Sequence, residues 1–250
     1  MKSIDPFEQL AHFWGRHGLD LLFPPRCSVC GEDLQRDYSS SQWSDVCQRC
    51  ERLLSADVPR CMVCGEVGFE TVDGCRQCTD CRPPWQGLIA LSGYGLHTRD
   101  AVLRAKHPGG EVIAAAMGRL LAEKHRALID SWKVECVVPV PMHFVRRAFR
   151  GTNPAEEIAR SFSKTMGFLW SRALARVQST RMQNELPFSK RAANVRNAFQ
   201  IRARVRGKRM LLIDDVCTTG STLKACSGVL LRAGAEKVFC AVVSKADRSA

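Results

Sequence analysis

Between Cys27 and Cys78 the chain repeats Cys-x-x-Cys four times, as Cys27/Cys30, Cys47/Cys50, Cys61/Cys64 and Cys75/Cys78. No other feature narrows so far what the stretch can fold into. Two residues between thiolates let both sulfurs face one ion from a tight turn, and two such turns close a tetrahedron. Gly31 and Gly65 each follow the second cysteine of a pair, where glycine lets the backbone turn and aim amides at sulfur. Sixteen residues separate Cys30 from Cys47 and ten separate Cys64 from Cys75, gaps suited to ribbon-type sites. The spacing predicts two Zn2+ sites, one from Cys27, Cys30, Cys47 and Cys50, the other from Cys61, Cys64, Cys75 and Cys78. Such zinc is structural, because four thiolates leave no position for a substrate. Cross-braced pairing, iron–sulfur or redox use, and metal-free thiols stay open on spacing alone, as does Cys81 in place of Cys78.

Nine of the thirteen cysteines fall between Cys27 and Cys81. In a reducing compartment that density suggests metal rather than disulfides. Cys136, Cys217, Cys226 and Cys240 sit in apolar or helical settings and read as buried small hydrophobes. Met1–Pro25 contains Lys2, Asp5 and Glu8 and no apolar block of signal-peptide length. No window approaches the roughly 20 apolar residues of a membrane span. The expectation is a cytoplasmic protein without membrane insertion. Phe7, Leu10, Ala11 and Trp14 recur at helical spacing, as in a short amphipathic helix covering the cysteine module. Arg82-Pro83-Pro84 marks a boundary, giving a helix-plus-zinc module over 1–84 and a larger domain over 85–250.

In the larger domain, apolar strand patterns at Leu88–Tyr94, Val134–Val140, Met210–Ile213 and Val238–Val243 alternate with helical patterns. The helical stretches begin near Asp100, at Glu111–Ala127, at Asn153–Met166 and at Ser221–Ala233. Asn153-Pro154-Ala155-Glu156 reads as a helix start, with asparagine as N-cap, proline in the first turn and glutamate three residues on. Alternation of this kind predicts an α/β fold, an open and mostly parallel sheet with helices on both faces.

The run Met210–Leu223, MLLIDDVCTTGSTL, carries the chemistry. Ligands of a parallel α/β sheet bind beyond the carboxyl ends of its strands, and there the MLLI strand delivers Asp214 and Asp215. Adjacent acids at a buried strand's end repel unless a ligand or cation joins them. The loop Cys217, Thr218, Thr219, Gly220, Ser221 and Thr222 then opens a helix whose N-terminal field suits an anion. One turn offers acceptors for sugar hydroxyls or hydrated Mg2+, and the next offers a phosphate cradle. The motif resembles the signature of type I phosphoribosyltransferases for 5-phosphoribosyl-1-pyrophosphate (PRPP). On that reading Asp214 and Asp215 are the catalytic acids and Cys217–Thr222 bind phosphate.

Further motifs follow in order: the cysteine knuckles, Tyr94, Val138-Pro139-Val140-Pro141, Arg150-Gly151-x-Asn153, Thr180-x-x-Gln183-x-x-Leu186, Arg191-x-x-Asn194, Ala198-Phe199 and the acid-loop motif. Together they resemble the ComF family, the ComFC- and GntX-like proteins, over nearly the whole chain. The resemblance implies a zinc-finger module on a phosphoribosyltransferase-like domain. It further implies a role in natural transformation, handling incoming single-stranded DNA beside competence-machinery proteins. GntX-like members are linked instead to carbon utilisation. The family commonly has Arg-Gly-Phe-Asn-Gln where this chain has Arg150-Gly151-Thr152-Asn153-Pro154, so a contact made by the aromatic or the glutamine is altered here.

The net charge is +12, yet Pro141–Met210 alone holds 16 Lys/Arg against 3 Asp/Glu. Arg146, Arg147 and Arg150 lie between the Val-Pro-Val-Pro strand and the next helix, placed to contact pyrophosphate or DNA. Arg172, Arg176, Arg181, Lys190, Arg191, Arg196, Arg202, Arg204, Arg206, Lys208 and Arg209 extend the field beyond what one small substrate uses. With Phe149, Phe188 and Phe199 nearby, it suits a single strand or a solvated basic face, Phe199 fitting a core better than a stacking platform. Three functions compete: a PRPP-binding protein that handles nucleic acid, an active phosphoribosyltransferase of unknown acceptor, and a regulatory protein that senses PRPP.

Overall fold

The computed structural model describes residues 23–34, 45–56, 58–68, 74–142, 152–177 and 198–246. The expected helix at Phe7–Trp14 lies outside the described residues, as do Arg146, Arg147, Phe149, Arg150, Phe188 and the Thr180–Leu186 and Arg191–Asn194 motifs. The chain divides into two compact units, residues 1–51 and residues 52–250. The second unit holds the second cysteine quartet together with the α/β domain.

Each quartet begins with a knuckle closed by an isolated antiparallel bridge, Arg26 with Asp33 and Arg60 with Val67. Inside the turns the Cys27 N–H donates to Glu32 O and the Gly31 N–H to Cys27 O, and Cys61, Glu66 and Gly65 repeat both bonds. Gly31 and Gly65 have φ of 77° and 73°, the left-handed region only glycine enters freely. The opposing cysteines come from short helices, Cys50 from α1 (Gln48–Leu54) and Cys78 from α2 (Arg76–Asp80).

The domain is built on five parallel strands: β1 (Leu88–Gly93), β2 (Cys136–Pro139), β3 (Leu169–Trp170), β6 (Arg209–Cys217) and β7 (Lys237–Lys245). Their order is β1-β7-β6-β2-β3. Between β3 and β6 the chain adds an antiparallel pair, β4 (Leu174–Arg176) with β5 (Phe199–Ile201). Helices α3 (Leu96–Arg104), α4 (Glu111–Lys124) and α5 (Arg126–Trp132) follow β1, α6 (Pro154–Met166) follows β2, and α7 (Ser221–Arg232) links β6 to β7.

Strand side chains alternate between faces. Leu88, Ala90, Cys136, Val138, Met210, Leu212, Val238, Cys240 and Val242 share one core with Leu223, Cys226 and Leu230 of α7. The intervening Ile89, Leu91, Val137, Leu211, Ile213, Ala241 and Val243 are also buried. The second face is covered by α4, which packs on β1 and β7, and α6, which packs on β2 and β6. Those two helices approach closely because Gly118 has no Cβ; one there would sit 2.4 Å from Ile158 O. A mostly parallel sheet with helices on both faces is what the alternating pattern predicts.

Several local expectations are corrected. The helix expected over Glu111–Ala127 breaks at His125, whose ring Nε2 donates to Ala90 O at 2.9 Å and ties the break to β1. Asn153 stands at the N-cap of α6, but its side chain caps nothing; Nδ2 donates to Val140 O at 3.2 Å, pinning the helix start to the end of β2. Glu156 is buried, and its carboxylate accepts from Arg172 Nε at 2.6 Å. Phe199 is 4 % exposed, in the core as expected, and Cys136, Cys217, Cys226 and Cys240 are buried. Among the described residues no helix is long and apolar enough to cross a membrane.

Candidate functional site

The cysteines gather into the two quartets the spacing predicts, without cross-bracing. In each, the four sulfurs lie within 4.8 Å of one another. Zn–S bonds of about 2.3 Å put tetrahedral sulfurs about 3.8 Å apart. The observed edges are 3.7 Å for Cys30–Cys47, 3.8 Å for Cys61–Cys78 and 3.5 Å for Cys64–Cys75. Backbone amides are aimed at sulfur as a thiolate site requires: the Cys47 N–H donates to Cys27 Sγ at 3.3 Å and the Cys50 N–H to Cys47 Sγ at 3.4 Å. Desolvation pushes the Cys27 thiol up, but the Cys30, Cys47 and Val29 amides outweigh it and lower the group to about 7. Burial drives Cys50 and Cys64 upward, and neighbouring cysteines add to the rise. Four convergent sulfurs at these separations fit a divalent cation, and the donor set suits two structural zinc ions. Cys78 is the fourth member of the second quartet; Cys81 stands outside it, exposed, and accepts from Lys224 Nζ at 3.4 Å.

In the α/β domain, β6 runs four residues beyond the predicted MLLI segment. Its partner β2 stops at Pro139, opposite Ile213, while β7 continues in register from Asp214↔Val242 to Cys217↔Lys245. Asp214 and Asp215 therefore lie within the strand rather than after it, paired on one side and open on the other. Successive strand residues face opposite sides, so the two acids straddle the sheet edge. Asp214 lies towards α7, where its charge helps burial push up the thiols of Cys217, to about 11, and of Cys226 and Cys240. Asp215 lies towards the turn after α3, where Lys106 Nζ holds its Oδ2 at 2.9 Å. Burial first, and the Asp215 charge second, raise Asp214 well above the ordinary carboxylate range. The Asp215 N–H, which donates to Asp214 Oδ1 at 2.9 Å, partly offsets this; the Val216 N–H donates to Asp215 Oδ1 at 2.7 Å.

The loop after β6 turns through Gly220, in the left-handed region at φ 73°, directly into α7. Thr218 is exposed, while Thr219, Ser221 and Thr222 are half-buried. Thr219 Oγ1 lies 2.8 Å from Ser221 Oγ and accepts from the Ser221 N–H at 3.2 Å, which preforms the turn. Cys217 contributes only backbone to this loop, since its side chain belongs to the core. The structure thus brings Asp214, Asp215 and Thr218–Thr222 to one sheet edge, with the helix N-terminus behind them.

Sequence reasoning passed over three residues here. Lys106 sits in an unremarkable Lys-His-Pro-Gly-Gly turn, and Lys245 follows an apolar strand. Trp85 follows the proline pair that reads as a boundary. Lys245 is 3 % exposed at the end of β7. A charge ending so long an apolar run was the available signal for it. The eight-residue repeat Pro25–Glu32 and Pro59–Glu66, identical except at Ser28 and Met62, was also legible and marks both knuckles.

The phosphoribosyl transferase domain family matches residues 109–250. The double zinc ribbon domain family matches residues 18–82. The chain is 32% identical over 222 residues to the DNA utilization protein YhgH of Salmonella typhimurium, covering 87% of this chain and 96% of that protein. It is 27% identical to Competence protein F of Haemophilus influenzae, covering 77% and 87%. It is 24% identical to Competence protein ComFC of Streptococcus pneumoniae, covering 85% and 96%. A phosphoribosyl transferase domain behind a double zinc ribbon, with these relatives along the length of the chain, places the protein in the ComF family.

Proposed function

We propose that the protein binds PRPP with Mg2+ at the end of β6 and assists the handling of incoming single-stranded DNA in the cytoplasm during natural transformation. The observation that carries the PRPP reading is two carboxylates on either side of a strand end whose next turn is a left-handed glycine at a helix N-terminus. Asp214 and Asp215 would hold the ribose hydroxyls, and the amides and hydroxyls of Thr218–Thr222 would take the 5-phosphate. Mg2+ would supply charge neutralisation at the pyrophosphate. Lys106 pairs with Asp215, so a ligand that engages this acid must compete with or re-aim an ammonium 2.9 Å away. The DNA part of the proposal is supported by the relatives, a DNA utilization protein and two competence proteins. It is also supported by the exposure of Arg202, Arg204 and Arg206.

The same acid pair supports a second reading, an active phosphoribosyltransferase, because carboxylates at the ribose would stabilise positive charge developing at C1 as pyrophosphate leaves. Turnover measured against nucleobases and amines separates the two readings. Calorimetry tests the binding they share: affinity should be micromolar, about −8 kcal/mol, and Mg2+-dependent. Replacing both Asp214 and Asp215 with Asn should weaken it by more than roughly tenfold, about 1.4 kcal/mol. Equal affinity in the double variant sinks this assignment of the site.

A further inference from the structure

The second zinc ribbon touches the proposed phosphate loop through two separate contacts. Lys245, at the carboxyl end of β7, is buried, and its ammonium reaches three oxygens: Ala246 O at 2.7 Å, Thr218 O at 3.4 Å and Glu66 Oε2 at 3.5 Å. Thr218 opens the phosphate loop, and Glu66 closes the Cys61–Glu66 knuckle. Trp85 makes the second contact. Its Nε1–H donates to Val63 O, inside the knuckle, at 2.6 Å. The far edge of its ring lies against Gly220, where an added Cβ would meet Cη2 at 3.2 Å. Both side chains that hold the loop's backbone from behind are themselves held by the knuckle.

The knuckle is seated for this role. The Leu88 N–H donates to Met62 O at 2.8 Å, joining the knuckle to the start of β1. A Cβ on Gly65 would meet Leu88 Cδ2 at 2.5 Å and Lys245 Cγ at 3.6 Å, whereas one on Gly31, its counterpart in the first knuckle, meets nothing within 4 Å. Glu32, the counterpart of Glu66, is exposed and pairs loosely with Arg49 at 3.8 Å. One octapeptide has therefore been put to two uses, and only the second copy carries a glutamate with a buried lysine partner.

We infer that the second zinc ribbon is part of the PRPP site: its zinc-held knuckle positions the phosphate loop through Glu66–Lys245–Thr218 and Val63–Trp85–Gly220. Glu66, Lys245 and Trp85 are positioning residues; none touches the ligand. The inference rests on the PRPP reading above and specifies which metal site that reading depends on. Without the link the loop samples other conformations, and apparent affinity falls with the fraction that stays competent. Losing zinc from Cys61, Cys64, Cys75 and Cys78 has the same effect as losing Lys245. Losing it from Cys27, Cys30, Cys47 and Cys50 does not, since every contact named comes from residues 62–88 and 218–246.

The test is calorimetry on the full chain with PRPP·Mg2+ and with ribose 5-phosphate, alongside zinc analysis. Lys245→Met and Glu66→Gln should each weaken both ligands by about tenfold, since removing one partner of a buried charged pair leaves the other uncompensated. Both variants should keep two zinc ions per chain. The two changes together should cost little more than either alone, because each breaks the same link; thermal midpoints taken without ligand separate this from a general loss of stability. Trp85→Phe, which loses only the indole donor, carries the test where Lys245→Met does not fold. Cys64→Ser should lose one zinc and PRPP affinity, while Cys47→Ser should lose one zinc and keep it. Variants that bind both ligands like the parent chain, or equal losses from the two cysteine variants, overturn the link and leave the site standing. A parent chain that binds neither ligand overturns the site and the link together.

Discussion

Asp214 and Asp215 follow one another in a strand, so each faces a different environment, and the environments are unequal. Asp215 has Lys106; Asp214 has burial, apolar neighbours and the charge of Asp215, and its carboxyl is held well above its ordinary range. A carboxyl raised in the folded chain contributes stability while it stays protonated, and that contribution is lost as pH rises through the raised value. Ionising this buried carboxyl therefore costs stability. Asp214→Asn should raise the thermal midpoint of the unliganded chain at neutral pH, by about 1 kcal/mol of stability, while PRPP binding is lost. The gain should fade as pH drops through about 4, below which Asp214 is protonated in folded and unfolded chains alike. Thermal scans from pH 4 to 8 check it; a midpoint lowered by the substitution at neutral pH contradicts the burial argument.

At the scale of elements, the zinc ribbons and the α4–α6 contact decide what tolerates change. Eight thiolates in two tetrahedral sets should bring close to two zinc ions per purified chain. Elemental analysis that returns iron with a visible chromophore, or no metal, removes the ribbon assignment. Cys47→Ser should lower the count by one and cost the folding of the first ribbon, because a structural zinc site supplies its module's folding free energy. In the α/β core, Gly118→Ala should destabilise strongly, by about 1–3 kcal/mol or more, since its Cβ would meet the Ile158 backbone rather than a yielding side chain. Denaturant midpoints measure this, and a neutral result means the two helices can part.

Among the described residues, the candidate PRPP groups and a run of exposed arginines lie at opposite ends of the sheet. The PRPP candidates lie at the carboxyl end of β6, while Arg202, Arg204 and Arg206 precede its amino end, where Arg209 pairs with Glu236 at 2.8 Å. The nine residues of β6 put those ends roughly 26 Å apart. Single-stranded DNA engaging four to six phosphates should bind with a slope of log K against log[salt] near −3 to −4, at about −0.7 per phosphate. Replacing Arg146, Arg147 and Arg150 together with Ala should flatten that slope and weaken PRPP, and the two ligands should compete. Titration of labelled oligonucleotide with and without saturating PRPP measures it. DNA binding that ignores both PRPP and the triple variant moves the track to Arg202–Arg209, and no binding at low salt leaves a solvated basic face.

The amino-acid sequence by itself determined what depends on neighbours along the chain. Cys-x-x-Cys spacing fits one tetrahedral ion because two residues span one turn, and both quartets form as read. Alternating apolar periods specify strands and helices, and so a parallel sheet. The acid pair and the glycine turn are contiguous, so Asp214, Asp215 and Thr218–Thr222 were bound to fall together. What tertiary structure decided is which distant group answers each local need. Asn153 and Glu156 have a capping pattern, yet the Asn153 amide donates to Val140 and the Glu156 carboxylate accepts from Arg172, partners the pattern does not name. The short strands β3, β4 and β5 carry too few residues for a period and exist through their partners. Lys106 meets Asp215, and Lys245 meets Glu66 across 179 positions of sequence. A buried charge is compensated by proximity in space, and no spacing along the chain encodes that.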